Sequence, residues 1–312
     1  MIKKVVVVGA GLMGNSIAQV FASNPGLEVI LKTRQLKPDR WEPIEQNLDM
    51  LVARGVLTRE EKLAIIGRIR FETEDAVAYR DADFIVECYP EKMETKQELF
   101  ANIENYCRDD CILATNTSVM RPTEIFSKCR LRGRCVGTHF WNPGHLIPLV
   151  EVVRSDYTDE WVIDVTMELL TSCGKKPVYC KRDVPGFIAN RLQHALWREA
   201  FWMVENGIAD PKTVDDACKY GPGLRWPVMG PMENSDLVGI ELTYNIHHYL
   251  LKYLADNHEP SKCLKKMLDQ GDYGFKTGKG WQEWTSEQKE ALSNGLKEYL
   301  IDYALRQKKA RE

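Results

Sequence analysis

Four consecutive valines, Val5 to Val8, run directly into Gly9-Ala10-Gly11-Leu12-Met13-Gly14 and then into Ile17, Ala18, Val20 and Phe21 at helical spacing. A β-branched run too short for a helix and apolar on both faces is the pattern of a central parallel strand, buried only in a sheet covered on both sides. Each glycine of the Gly-x-Gly-x-x-Gly loop then has a task. Gly9 allows a tight turn, Gly11 lets a pyrophosphate approach the backbone, and Gly14 permits close contact of helix on strand. Leu12 and Met13 open the helix, whose unpaired amide N–H groups face the phosphates. The loop predicts a dinucleotide site made by Gly9, Gly11, Leu12, Met13 and Gly14, with nicotinamide favoured over flavin.

The alternation continues. Glu28 to Leu31 reads as a strand, Glu42 to Val52 as a helix, and Thr58-Arg59-Glu60-Glu61 as a capping box opening another. Ile69-Arg70-Phe71, Ala82 to Glu87, Cys111 to Thr115, Val136 to Thr138, Val150 to Val153 and Val178 to Cys180 read as further strands, with a helix over Lys92 to Tyr106. Asp183-Val184-Pro185-Gly186 punctuates the chain. Beyond it the apolar spacing is helical over Ile188 to Glu205, Pro211 to Cys218, Leu237 to Leu254, Pro260 to Leu268 and Ser286 to Gln307. The pattern predicts an N-terminal Rossmann domain over residues 1–184, with a doubly wound and mostly parallel sheet, followed by an all-helical domain over 185–312.

Forty-two basic against forty-five acidic residues, a formal charge of -3, give no electrostatic footprint for nucleic acid. No run of about 18 apolar residues suggests a membrane span. The nine cysteines are odd in number and scattered, which points to a reducing, cytoplasmic setting. Cys107 and Cys111 lack a second pair or nearby histidine to complete a zinc site, so no metal is expected.

Where the second strand ends, an acidic residue normally receives the adenosine ribose hydroxyls, yet here Leu31 leads into Lys32-Thr33-Arg34-Gln35. A carboxylate would repel a 2'-phosphate, whereas Thr33 can hydrogen-bond it and Arg34 can add charge-assisted donors. NADP is therefore the expected cofactor, with NAD the alternative.

His139 follows the strand-like Cys135-Val136-Gly137, at a carboxyl edge where open α/β sheets bind ligands. An imidazole there can take a hydroxyl proton as hydride leaves the same carbon, and Glu151 can hold its other ring nitrogen.

Over nearly its full length the chain resembles the 3-hydroxyacyl-CoA dehydrogenase family. The likeness lies in the glycine loop, Thr115-Asn116-Thr117-Ser118, His139-Phe140-Trp141-Asn142-Pro143, Leu149-Val150-Glu151-Val152-Val153, Pro185 to Arg191 and Met229-Gly230-Pro231. The resemblance implies that His139 is the base, Glu151 its partner, that Ser118 and Asn190 contact the substrate's 3-oxygen region or the nicotinamide, and that Glu91 and Lys96 lie near the nicotinamide ribose. It also implies a homodimer assembled through the helical domain. Trp141 stands where the family carries phenylalanine, Thr115 replaces its usual serine, and Thr33 replaces its acidic ribose residue.

Two stretches disagree about the substrate. Asn190 to Gln193 with Gly223-Leu224-Arg225-Trp226 resembles the branch acting on free hydroxy acids, such as gulonate and carnitine dehydrogenases, and Arg225 could hold a free carboxylate. Gly274 to Trp281 resembles the acyl-CoA enzymes, with Arg54 and Lys62 on the excursion where that family receives coenzyme A. The reading gives precedence to a short-chain 3-hydroxyacyl-CoA. A free 3-hydroxy acid is the alternative, and a cofactor-binding structural or sensing protein the non-enzymic one. Trp197, Trp202, Trp226, Trp281 and Trp284 suggest packing and subunit contact ahead of a ligand wall.

Overall fold

The computed structural model describes residues 2–309. Its strands are β1 (Lys4–Val8), β2 (Glu28–Lys32), β3 (Ile69–Glu72), β4 (Phe84–Glu87), β5 (Ile112–Thr115), β6 (Cys135–Phe140), β7 (Leu149–Val153) and β8 (Lys176–Cys180). They form one sheet in the order β3-β2-β1-β4-β5-β6-β7-β8. The strands from β3 through β6 pair in parallel, β7 turns antiparallel to β6, and β8 runs parallel to β7. Residues 141–148 are too few for a crossover, so the chain reverses directly from β6 into β7.

The valines of β1 divide between the two faces. Val5 and Val7 pack with Ile17 and Phe21 of α1 (Leu12–Ala22), Ile44 and Leu48 of α2 (Glu42–Ala53), Ile65 of α3 (Arg59–Arg68) and Leu170 of α7 (Glu160–Ser172). Val6 and Val8 pack with Tyr79 of α4 (Asp75–Tyr79), Phe100 of α5 (Met93–Ile103) and Ile125 of α6 (Pro122–Ile125). This is the two-sided burial that the valine run predicts, and the Rossmann-type sheet is followed by helices as expected.

The helical region comprises α8 (Ala189–Glu205), α9 (Pro211–Tyr220), α10 (Pro231–Val238), α11 (Ile240–Leu250), α12 (Lys262–Gln270) and α13 (Ser286–Lys309). The single helix expected over Leu237 to Leu254 is interrupted at Gly239, whose φ of +103° is outside helical geometry, and ends in a 3-10 turn at Leu251–Tyr253. Gly274 bridges Lys279 in antiparallel fashion. In the aromatic set, Phe201 stacks on Trp281 with centroids 4.8 Å apart.

By compactness the chain divides after Asn190, one unit running up to that residue and the other spanning Arg191–Gly295, while the part of α13 from Leu296 onward belongs with the first. The return has a visible cause: Ile301 is buried with Leu51 and Leu146, and Arg54 pairs with Asp302 at 2.8 Å. Among the described residues no helix is long and apolar enough to cross a membrane.

Candidate active site

The glycine loop has the geometry of a phosphate cradle. Gly9 has a φ of +109°, and a Cβ on Gly14 would lie 1.7 Å from the Gly9 carbonyl oxygen, so both positions require glycine. A Cβ on Gly11 would meet nothing within 4 Å, which leaves the space in front of α1 to a ligand. Gly9, Gly11, Leu12 and Met13 line a cleft of ≈ 660 Å³ together with Thr33 and Arg34. Lys37, Asp39, Arg40 and Tyr89 also line it. The residues present thus fit a dinucleotide.

Arg34 lies over the Tyr89 ring at 5.4 Å, and Arg40 over Phe71 at 5.7 Å. The Thr33 hydroxyl donates to the Gln35 carbonyl at 3.2 Å. Lys32 is buried and paired with Asp75 at 2.9 Å, so it belongs to the scaffold.

His139 and Glu151 are direct partners across the antiparallel β6–β7 pair. His139 Nδ1 lies 2.8 Å from Glu151 Oε2, with both residues buried. The other carboxylate oxygen, Oε1, accepts from the amide N–H groups of Ile188 at 2.8 Å and Ala189 at 3.0 Å, at the amino end of α8. Burial works to raise the Glu151 carboxyl. The His139 hydrogen bond and the Ala189 and Ile188 amides outweigh it and hold the group below the ordinary carboxylate value. An ionised carboxylate only accepts, so Nδ1 carries the proton and Nε2 keeps the lone pair that a base needs. Phe187, held at a φ of +50° after Gly186, sets its ring 5.7 Å from that of His139.

Ser118 and Asn190 come together. Asn190 Nδ2 donates to the Ser118 carbonyl at 2.9 Å, and the Ser118 amide donates to Glu91 Oε1 at 2.6 Å. Glu91 also accepts from the Thr117 hydroxyl at 3.0 Å. Lys96 is 1% exposed and lies 2.6 Å from Glu87 Oε1 and 3.3 Å from Glu91 Oε2, so it anchors the floor beneath these groups. Thr115 Oγ1 donates to Glu87 Oε2 at 2.6 Å. Sequence reasoning passed over Glu87, and the signal was a charged residue closing the buried run Phe84-Ile85-Val86. Trp141 was read only as a departure from a family pattern, yet its indole N–H donates to Glu151 Oε2 at 3.3 Å.

Arg225, in the second unit, is exposed and donates to Asn234 Oδ1 at 3.3 Å. Arg54 is engaged by Asp302 at 2.8 Å and Glu298 at 3.8 Å, and Lys62 by Asp49 at 2.5 Å.

Residues 4–184 match the model of the 3-hydroxyacyl-CoA dehydrogenase NAD binding domain, and residues 186–284 that of the same family's C-terminal domain. The chain belongs to the 3-hydroxyacyl-CoA dehydrogenase family. Within this family it is similar to L-carnitine dehydrogenase of Bacillus cereus, 35% identical over 248 residues, covering 77% of this chain and 73% of that one. It is 33% identical over 291 residues to the human mitochondrial hydroxyacyl-coenzyme A dehydrogenase, covering 91% of each. The crystal structure of 5-formyl-3-hydroxy-2-methylpyridine 4-carboxylic acid 5-dehydrogenase, described as an NAD+ dependent dismutase, superposes with a TM-score of 0.88 at 29% identity over 97% of both chains. The chain is thus an NAD(P)-binding oxidoreductase of the 3-hydroxyacyl dehydrogenase type.

Proposed function

We propose that this member of the family oxidises and reduces a small free hydroxy acid, with NADP(H) preferred, and that His139 is its acid–base residue. The observation that carries the reaction is the 2.8 Å contact of His139 Nδ1 with Glu151 Oε2 at the carboxyl edge of the sheet. A nicotinamide dinucleotide held by Gly9, Gly11 and Gly14 would supply the hydride acceptor for the carbinol carbon. His139 Nε2 takes the hydroxyl proton as the carbonyl forms and returns it during reduction. Glu151 stabilises the imidazolium that results. Ser118 and Asn190 bear on the reacting oxygen as neutral donors.

The free acid takes precedence over the thioester because the two basic residues offered for coenzyme A are already paired. Arg54 sits against two carboxylates of α13, and Lys62 against Asp49. Two of the similar proteins, the carnitine and pyridine-carboxylate enzymes, have names without coenzyme A. Arg225 is assigned the substrate carboxylate. For the cofactor, Arg34 and Arg40 bring two guanidinium groups to the adenosine end of the cleft, with Lys37 beside them and no carboxylate at position 33. The thioester reading keeps the support of the human relative.

A crossed assay of free 3-oxo acids, acetoacetate among them, and acetoacetyl-CoA, each with NADPH and NADH, tests the proposal. Turnover is expected with a free acid and NADPH. Turnover confined to the thioester overturns the substrate assignment.

Association with a second copy fits α11, which buries none of its residues while exposing Ile240, Leu242, Tyr244 and Tyr249. Sedimentation is expected to give a dimer. All nine cysteines are free thiols, which supports a reducing, cytoplasmic setting.

A further inference from the structure

Glu151 Oε2 serves two donors. His139 Nδ1 reaches it at 2.8 Å and the Trp141 indole Nε1 at 3.3 Å, while the imidazole and indole centroids lie 5.7 Å apart at 52°. With the amides of Ile188 and Ala189 on Oε1, four donors meet the roughly four acceptor sites of one carboxylate. A phenylalanine at position 141 would fill similar space and supply no donor.

We infer that Trp141 is a positioning residue for the proton-transferring pair, fixing the plane of the Glu151 carboxylate and sharing its Oε2 so that the imidazolium of His139 receives only part of that oxygen's charge. The inference deepens the proposed function and rests on its reading of His139 as the base. A donor on the carboxylate withdraws electron density from the oxygen that faces the imidazole. Removing that donor returns the density to the imidazolium and favours the protonated ring. In alcohol oxidation the base must be unprotonated, so its activity then begins at higher pH.

His139 faces Glu151 from β6. Cys180 faces it from β8, its thiol pushed up first by burial and then by the charges of Glu151 and Asp183. At the amino end of α8 the amides of Ile188 and Ala189 donate to the other Glu151 oxygen. None of these groups is changed by substitution of Trp141, so a movement of the profile reports the indole.

The test is the pH profile of kcat/KM for alcohol oxidation in Trp141→Phe and Trp141→Gln, the second retaining an uncharged N–H donor. The Phe variant is expected to move the midpoint of the acid limb upward by about half to one pH unit, with less than about a tenfold loss at the plateau and unchanged cofactor affinity. The Gln variant is expected to bring the limb back toward the wild type. NMR titration of the His139 ring protons in the folded Phe variant reads the same shift without turnover. An unmoved limb and unmoved ring titration in Trp141→Phe, while His139→Gln abolishes the limb, overturn the role of Trp141. A wild-type limb that survives in His139→Gln overturns the base assignment instead, so the two failures are distinct.

Discussion

Glu151 stands directly opposite His139 in the antiparallel β6–β7 ladder, and Oε2 of the one lies 2.8 Å from Nδ1 of the other. Opposed residues of an antiparallel pair project to the same face of the sheet. The register therefore sets both the contact and its place at the edge, and helix α8 completes it by turning two amides toward Oε1.

The carboxylate's role as an acceptor gives the first prediction. Glu151→Gln keeps the shape but allows an amide N–H to face Nδ1, which moves the ring proton to Nε2 and removes the base. A loss of about 10²–10⁴-fold in kcat/KM is expected, with cofactor affinity retained. Steady-state kinetics with cofactor binding by fluorescence check it, and a loss confined to cofactor affinity would count against the assigned role.

Beneath the site, Lys96 and Glu87 form a buried pair, 1% and 0% exposed. Lys96→Met leaves a buried carboxylate without its cation and is expected to cost about 3–5 kcal/mol of stability. Adding Glu87→Gln should recover part of that loss, because the stranded charge is gone. Urea denaturation of the two variants decides it, and equal stabilities would show that the charge is not the cause.

His145 predicts a dependence of stability on pH. Burial first, and then the charge of Lys175, push its imidazole down to about 4, while Nδ1 faces Ser16 Oγ at 3.2 Å. Because the folded value is lowered, the unfolded chain takes up a proton below about pH 6.5 and the folded protein does not until about pH 4. Stability from this group is full above that window, falls as the pH drops through it, and levels off below it. The total is on the order of 3 kcal/mol. His145→Gln should flatten the stability profile between those limits in chemical melts, and an unchanged slope would contradict the assignment.

For the cofactor, Arg34→Ala and Arg40→Ala are each expected to lower kcat/KM with NADPH by about tenfold or more while sparing NADH, as the loss of a charge-assisted contact to a phosphate requires. Parallel losses with both cofactors would assign these residues to the scaffold.

Much of this was legible in the residue pattern. The valine run and the glycine spacing carry the sheet and its phosphate cradle because both depend on local sequence, and the alternation of strands and helices carries the order of β1 to β6. The contact of His139 with Glu151 was also anticipated, although its cause was hidden. That cause is the antiparallel return of β7, which follows from a connection too short for a crossover. What escaped depends on side chains that meet through the fold. The resemblance puts Lys96 near the nicotinamide ribose, but its buried pairing with Glu87 appears only once α5 is folded against the sheet. Trp141 reads as bulk until its indole reaches Glu151. Arg54 and Lys62 read as free cations until α13 and Asp49 claim them. The division at Asn190 and the return of Leu296 onward to the first unit are likewise tertiary.

The most direct test of the account is the oxidation rate of His139→Gln, measured beside its affinity for the reduced cofactor. The account predicts a fall of about 10²-fold or more in kcat/KM with cofactor affinity within about twofold of the wild type. Turnover close to that of the wild type would show that the proton leaves by another route and would contradict it.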